Sequence, residues 1–423
     1  MDTSVQCLLF MAVLILFAKT MAHVGSRLSL PLVLGELAAG VLLGPTILNV
    51  WHLSWFSPTS SVAPLTAVFQ VFAQVGVVAL MFLAGVETDI PLLRASLAPA
   101  FWAAAGGVIL PMTGGAAVAR LAGLGWMEAI FIGAVLTATS VTITAQTLLN
   151  LGRLRSRAGS TILGAAVIDD VLGLVVLSVV IALTTRSVHP SSALLGVALP
   201  VARMALFLVV TFALGPRLVR FALRRAEASP DDYSTAAAAL ALSFLFAFCA
   251  AYLGGMAAIT GSYLCGVFVA ATAARDRIVS SLRAMCNAFF GPVFFVSIGL
   301  QVDVRDLGGH VRLFLALLLV AVIGKILGCA AGALATGFDA RKSLIVGVGM
   351  IPRGEVGLIT ASLGFSVGLI SRGNYVQLVI LVLVTTLMTP ALLSLVFPPA
   401  ENAAEPALVP LTAESSSQGE FVS

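Results

Sequence analysis

Two adjacent carboxylates, Asp169 and Asp170, sit in the run Ala165-Ala166-Val167-Ile168-Asp169-Asp170-Val171-Leu172-Gly173-Leu174, and nothing else is charged from Ser160 to Ser178. At about 1.5 Å of rise per helical residue, Asp170 lies roughly 15 Å from Ser160, near the middle of a roughly 30 Å hydrocarbon layer. Charge at that depth costs about 2.5 to 3.5 kcal/mol or more per group, so functional use is the first expectation. Two neighbouring carboxylates in a dry site cannot both ionise cheaply. A proton or a metal cation is therefore expected to compete for one of them.

The rest of the chain has to carry these groups into a membrane, and its composition does so. Of 423 residues, 60% are apolar and only 10% charged, and the mean hydropathy is +1.09, against about 25% charged residues in a soluble domain. Apolar segments fall at approximately 4–20, 29–48, 62–86, 95–119, 127–148, 158–185, 193–222, 234–253, 255–273, 283–301, 311–336, 343–366 and 374–397. The expected fold is an all-α polytopic membrane protein of about 13 transmembrane helices. The first segment carries Lys19 after its apolar core and lacks a basic stretch before it, which suits an anchor better than a cleaved signal. Of the 23 lysines and arginines, 15 lie at one set of alternate loops and six at the other, so the N-terminus is placed outside and the C-terminus inside. The other two, Lys325 and Arg353, lie within segments. The net charge of +4 follows from loop residues that set orientation, and no nucleic-acid partner is expected.

The two halves share a pattern. Gly85 in Met81-Phe82-Leu83-Ala84-Gly85-Val86-Glu87-Thr88-Asp89 and Gly299 in Phe295-Val296-Ser297-Ile298-Gly299-Leu300-Gln301-Val302-Asp303 are 214 residues apart, as are Gly133 and Gly347. Gly35 and Gly40 correspond to Gly261 and Gly266 at an offset of 226. An odd number of segments separates the starts of the two units, so they enter the membrane from opposite sides: an inverted-topology repeat, about 28–185 and 254–397. Asp169 and Asp170 map onto Leu383 and Val384, and Lys325 maps onto Pro111. Lys325 is 13 residues past Arg312 and 14 before Asp339, at the same depth as the aspartates, and a buried ion pair is cheaper than two isolated ions.

Further candidates lie in repeat-related segments. Leu136-Thr137-Ala138-Thr139-Ser140-Val141-Thr142 places a hydroxyl cluster at mid-segment, and its mate reads Gly347-Val348-Gly349-Met350-Ile351-Pro352-Arg353-Gly354-Glu355-Val356-Gly357. Proline and glycines there invite a broken helix, whose freed carbonyls join hydroxyls and a carboxylate as hard ligands for a small alkali cation. Thr139 and Ser140 also have an ordinary use, bonding back to their own helix. Arg353 and Glu355 do not share a helix face and are read as structural charges that answer the broken helix ends. Glu87 and Asp89 close the third segment at the inner surface, and Glu36 is read either as buried at a helix break or as lying near the inner interface. The four histidines (His23, His52, His189, His310) have no metal-ligand spacing, and the five cysteines are read as small buried hydrophobes. No nucleophile and base arrangement points to an enzyme, and no cofactor is expected.

Together, Gly35-Glu36 with Leu42-Leu43-Gly44-Pro45, Phe82-Leu83-Ala84-Gly85-Val86-Glu87, Thr137-Ala138-Thr139-Ser140, Ile168-Asp169-Asp170-Val171-Leu172-Gly173, Gly324-Lys325 and Pro352-Arg353-Gly354-Glu355-Val356 resemble bacterial monovalent cation/proton antiporters of the second cation/proton antiporter branch. The resemblance implies a homodimer in the bacterial inner membrane. Each protomer would be a transporter domain over 1–400, with a core domain from segments 4–6 and 11–13, a dimerisation domain from 1–3 and 8–10, and segment 7 as linker. A short cytoplasmic tail, 401–423, would be disordered. It further implies that segments five and twelve cross as partly unwound helices, that Asp170 binds the cation or proton, that Asp169 pairs with Lys325, and that Thr139 and Ser140 lie near the ion. Relatives with a double aspartate tend to exchange Na+, whereas K+-efflux relatives often carry a nucleotide-binding domain not found here. Na+ or Li+ is thus favoured over K+. The rival readings are a sodium-coupled organic-solute symporter of similar fold, a K+-efflux system and a ligand-gated channel.

Overall fold

The computed structural model describes residues 3–27, 32–45, 47–50, 63–184, 190–229, 233–300 and 311–397. Expectations for His52, His189, His310, Gln301, Asp303 and the tail 401–423 lie outside these residues, as does the side chain of Glu355. Seventeen helices occur among the described residues, in the order α1 (Thr3–Arg27), α2 (Leu32–Leu43), α3 (Ala63–Glu87), α4 (Ile90–Ala95), α5 (Leu97–Leu121), α6 (Trp126–Thr137), α7 (Val141–Asn150), α8 (Arg157–Thr184), α9 (Pro190–Glu227), α10 (Ser234–Cys249), α11 (Ala258–Ala270), α12 (Arg275–Met285), α13 (Gly291–Gly299), α14 (Val311–Leu334), α15 (Ala340–Gly349), α16 (Glu355–Ser366) and α17 (Arg372–Val396). Single π-helical turns, Ala250–Gly254 and Cys286–Phe290, join α10 to the chain before α11 and α12 to α13. Among the described residues ten helices, counting α6–α7 and α12–α13 as one each, are long and apolar enough to cross a membrane, and three shorter apolar ones accompany them.

Helix ends follow local chemistry. Asp339 accepts from the Lys342 backbone N–H at 2.8 Å to start α15, and the side-chain hydrogen bond from Lys342 holds its carboxyl below the usual carboxylate range. Asp89, which was expected among interface charges, caps α4 by accepting from Leu92 at 2.9 Å. Glu87 and Glu36 are buried in ion pairs, with Arg283 at 2.7 Å and Lys19 at 2.8 Å. All five cysteines are free, three of them buried.

The helices pack as two groups. In one, α5 lies against α6, α8 and α14, while α15 packs with α14 and α17, and α16 with α17 and α6. In the other, α2 packs on α1 and α13, and α3 on α11 and α13, with α10 beside α11. The long α9 touches α8 on one side and α10 on the other.

The repeat offsets recur in these contacts. A side chain at Gly40 would meet the backbone of Val296 and Gly299, and one at Gly266 the backbone of Phe82 and Gly85. The offsets of 226 and 214 exchange these two crossings. Likewise Gly106 abuts Gly328 where Gly114 abuts Val320, and Gly133 abuts the Met112 carbonyl where Gly347 abuts that of Ile326. Each pair maps onto the other under the single offset of 214. Small residues let apolar helices approach backbone to backbone, where dispersion is the main attraction available in lipid. The α2–α13 and α3–α11 crossings are thus one motif used twice.

Candidate functional site

Two broken helices meet at the centre of the first group. The run from α6 to α7 breaks at Ala138–Ser140, where Ala138 and Ser140 are extended (ψ 137° and 107°). The run from α15 to α16 breaks at Met350–Gly354, because Pro352 disfavours a helical Ile351 and has no N–H to donate. The breaks touch: the Ser140 N–H donates to the Pro352 carbonyl at 2.7 Å, and the Thr144 hydroxyl donates to the Gly349 carbonyl at 2.6 Å. Gly354 allows this approach, since a Cβ there would strike the Ser140 side chain.

Arg353 threads between the breaks, fully buried. Its guanidinium donates to the carbonyls of Leu136 (2.8 and 3.2 Å), Ile351 (2.9 Å) and Ala321 (2.9 Å), and its own carbonyl accepts from Thr386. Leu136 belongs to the last turn of α6, so the cation meets the partially negative end of a helix that stops inside the protein.

The aspartates separate by environment. Asp169 is buried, and Lys325 Nζ donates to its Oδ1 at 3.0 Å; the two side chains are 2% and 0% exposed. Gly107 makes room for Cys329, on the same helix as Lys325, because a Cβ there would strike its Sγ, with Lys325 Nζ only at van der Waals distance. Asp170 is half-buried, and its Oδ2 accepts from the Thr260 hydroxyl at 2.6 Å. A cavity of about 880 Å³ reaches this point, lined by Asp169, Asp170, Ser140, Thr137 and Thr386 at its base and by Gln70 and Gln74 along α3. Thr139 is not among its lining residues, and its buried hydroxyl has no hydrogen-bond partner, an unpaired acceptor beside a break. The structure therefore brings Asp169, Asp170, Ser140 and Lys325 to one place, with Thr139 and Arg353 adjoining. No group of three or more His, Cys, Asp or Glu that could hold a metal occurs among the described residues. Hydroxyls, carbonyls and one accessible carboxylate suit a hard monovalent cation as cargo.

The cavity is one-sided. Along α3 its lining runs from Thr66 to Val78, and from Ala79 to Glu87 the helix is buried throughout. On that closed side Gln146 donates to the Leu80 carbonyl at 3.3 Å, Arg155 to the Glu87 carbonyl at 3.1 Å, and Arg275 to the Val86 carbonyl at 3.0 Å. Sequence reasoning missed Thr260 and Thr386. For Thr260 a signal existed: by the 226 offset its counterpart is Leu34, so the second repeat has a hydroxyl where the first has none.

The sequence pattern of the sodium/hydrogen exchanger transmembrane family matches residues 12–397. The Na+/H+-K+ antiporter GerN of Bacillus cereus is 35% identical over 387 residues, which cover 91% of this chain and 95% of that protein. A Na+/H+ antiporter of Enterococcus hirae is 34% identical over 384 residues, covering 90% and 95%. The solved structure of the sodium proton antiporter MjNhaP1 from Methanocaldococcus jannaschii matches with a TM-score of 0.67 over 93% of this chain and 97% of that one, at 16% identity. At that identity the likeness is one of fold.

Proposed function

The chain belongs to the sodium/hydrogen exchanger family and is a multi-pass monovalent cation/proton antiporter, and from that premise we propose that Asp170 carries either a cation or a proton across the barrier. The carrying observation is the division of the two carboxylates. Both carboxylates reach the cavity lining, but Asp169 is only 2% exposed and neutralised by Lys325, whereas Asp170 is half-buried and bonded to a neutral hydroxyl. One site that cannot hold both ligands is sufficient for exchange, provided it opens to each side in turn.

Ser140 and Thr139 complete the coordination with oxygens from the break, and the unpaired Thr139 hydroxyl supports that role. Arg353 and Glu355 serve as structural charges. The group built on α5–α8 and α14–α17 acts as the moving core, and the group containing α2, α3, α10, α11 and α13 as the fixed dimerisation domain of a homodimer. With the basic loops in the cytoplasm of a bacterial inner membrane, the N-terminus is outside and the cavity opens outward. Na+ or Li+ is the favoured cargo. K+ is the second reading, supported by the printed name of the GerN relative.

In proteoliposomes, internal pH is read on addition of Na+, Li+ or K+, with the membrane potential clamped. Asp170→Asn should abolish cation-dependent proton movement while the protein still elutes as a folded species. Wild-type-like exchange by that variant would sink the assignment.

A further inference from the structure

A single-site exchanger fails if its empty carboxylate crosses the membrane alone, because each such crossing turns exchange into leak. Desolvating the bare anion opposes that crossing, and the structure adds a specific contact. The Thr260 hydroxyl, itself buried, donates to Asp170 Oδ2 at 2.6 Å. Thr260 lies in the first turn of α11, a helix of 13 residues, whose dipole favours an anion beside its N-terminus. The space around the bond is a void of about 10 Å³ walled by Val141, Leu163, Val167, Ile259 and Tyr263. On that side there is room for about one water at most, so the bond is closed to bulk solvent there and meets the large cavity only on the other side of Asp170.

The bond also joins the two helix groups. Asp170 rides on α8, which packs on α5 and α6, whereas α11 packs on α3 and α10. Any motion of one group against the other must break it. A hydroxyl bonds an ionised carboxylate about twice as strongly as a neutral group. Protonation, or a cation sharing Oδ2, therefore weakens the bond, while the bare anion holds it.

We propose that Thr260 is a coupling latch: it ties the unloaded Asp170 carboxylate to α11 and releases it when a proton or monovalent cation has taken up the charge. This rests on the reading of Asp170 as the exchanging group. Thr260 is a positioning residue here, acting on the carboxylate and not on the chemistry of the cargo.

The test compares wild type, Thr260→Val, Thr260→Ala, Thr260→Ser and Asp170→Asn in proteoliposomes at clamped zero potential, with radioactive sodium efflux and proton uptake measured together. The expected result is a proton-to-sodium flux ratio that departs at least twofold from the wild-type value in Thr260→Val and Thr260→Ala, downwards where sodium leaks and upwards where protons leak, and keeps its wild-type value in Thr260→Ser. A merely structural role would lower both fluxes together. Unchanged ratios in Thr260→Val and Thr260→Ala overturn the proposal, as does loss of both fluxes in both variants, since a latch is dispensable for movement. Asp170→Asn is judged separately: if it exchanges like wild type, the assignment of Asp170 fails whatever the threonine variants do.

Discussion

Lys325 and Asp169 form a buried ion pair at 3.0 Å, and its energetic sense depends on which partner is removed. Taking one away leaves an uncompensated charge in a dry interior, at a cost of about 3 to 5 kcal/mol. Lys325→Ala is therefore expected to lower the thermal midpoint in detergent sharply. The double variant Asp169→Asn with Lys325→Met should recover much of the loss. Cation preference among Na+, Li+ and K+ should be unchanged in any Lys325 variant that retains transport, since the lysine bonds Asp169 and not the cavity-facing Asp170. A reordered preference would show that the lysine shapes the ion site directly. The pairing is readable from sequence because both charges sit mid-segment, and like depth makes them natural partners. Thr260 was not readable in the same way, since one more hydroxyl in an apolar segment has many ordinary uses.

At the scale of elements, the decisive feature is two helices that stop inside the protein. Pro352 with its flanking glycines marks one break in the sequence. The other break, at Ala138–Ser140, carries no proline or glycine, and only the family resemblance implied it. Arg353 then serves both, donating to Leu136, Ile351 and Ala321. Arg353→Ala would leave three buried carbonyls short of a donor, and each such loss costs about 1 to 3 kcal/mol. That variant should fail to accumulate as a monodisperse species in size-exclusion chromatography. Arg353→Lys, with a single ammonium in place of the planar fork, should fold with a reduced thermal midpoint. Equal midpoints for Arg353→Lys and wild type would show that the carbonyls are met by other donors.

For the whole molecule, the question is what keeps the cavity shut at one end. The closed side is held by the buried length of α3 and by a few contacts between the two helix groups, among them Arg155 on the Glu87 carbonyl. Arg155 is itself exposed, so the contact is worth at most about 1 kcal/mol. Arg155→Ala should accordingly shift the population only about two- to fivefold towards the oppositely open state. The measurement is labelling of a Thr88→Cys reporter, in a background stripped of the five native cysteines, by a membrane-impermeant thiol reagent. Thr88 is buried against Tyr263, at 3.3 Å between hydroxyls, so its labelling rate should rise in Arg155→Ala. An unchanged rate would place the closure elsewhere.

Several properties follow from the order of residues alone. The membrane setting comes from apolar segments too long and too poor in charge for a soluble core, and the repeat from glycines at fixed offsets. The candidate carboxylates stand out by the cost of burying them. These are local or periodic properties, and each is complete within one segment or one comparison of segments. Which aspartate pairs with Lys325 was implied by the family resemblance, and the tertiary structure supplies the contact itself. Asp169 and Asp170 are adjacent in sequence, both line the cavity, and differ in the group that meets each: Lys325 from α14 on one and Thr260 from α11 on the other. Likewise, the side to which the cavity opens is a property of how the two helix groups sit against each other. It rests on long-range contacts such as Gln146 on Leu80 and Arg155 on Glu87, which sequence order does not specify.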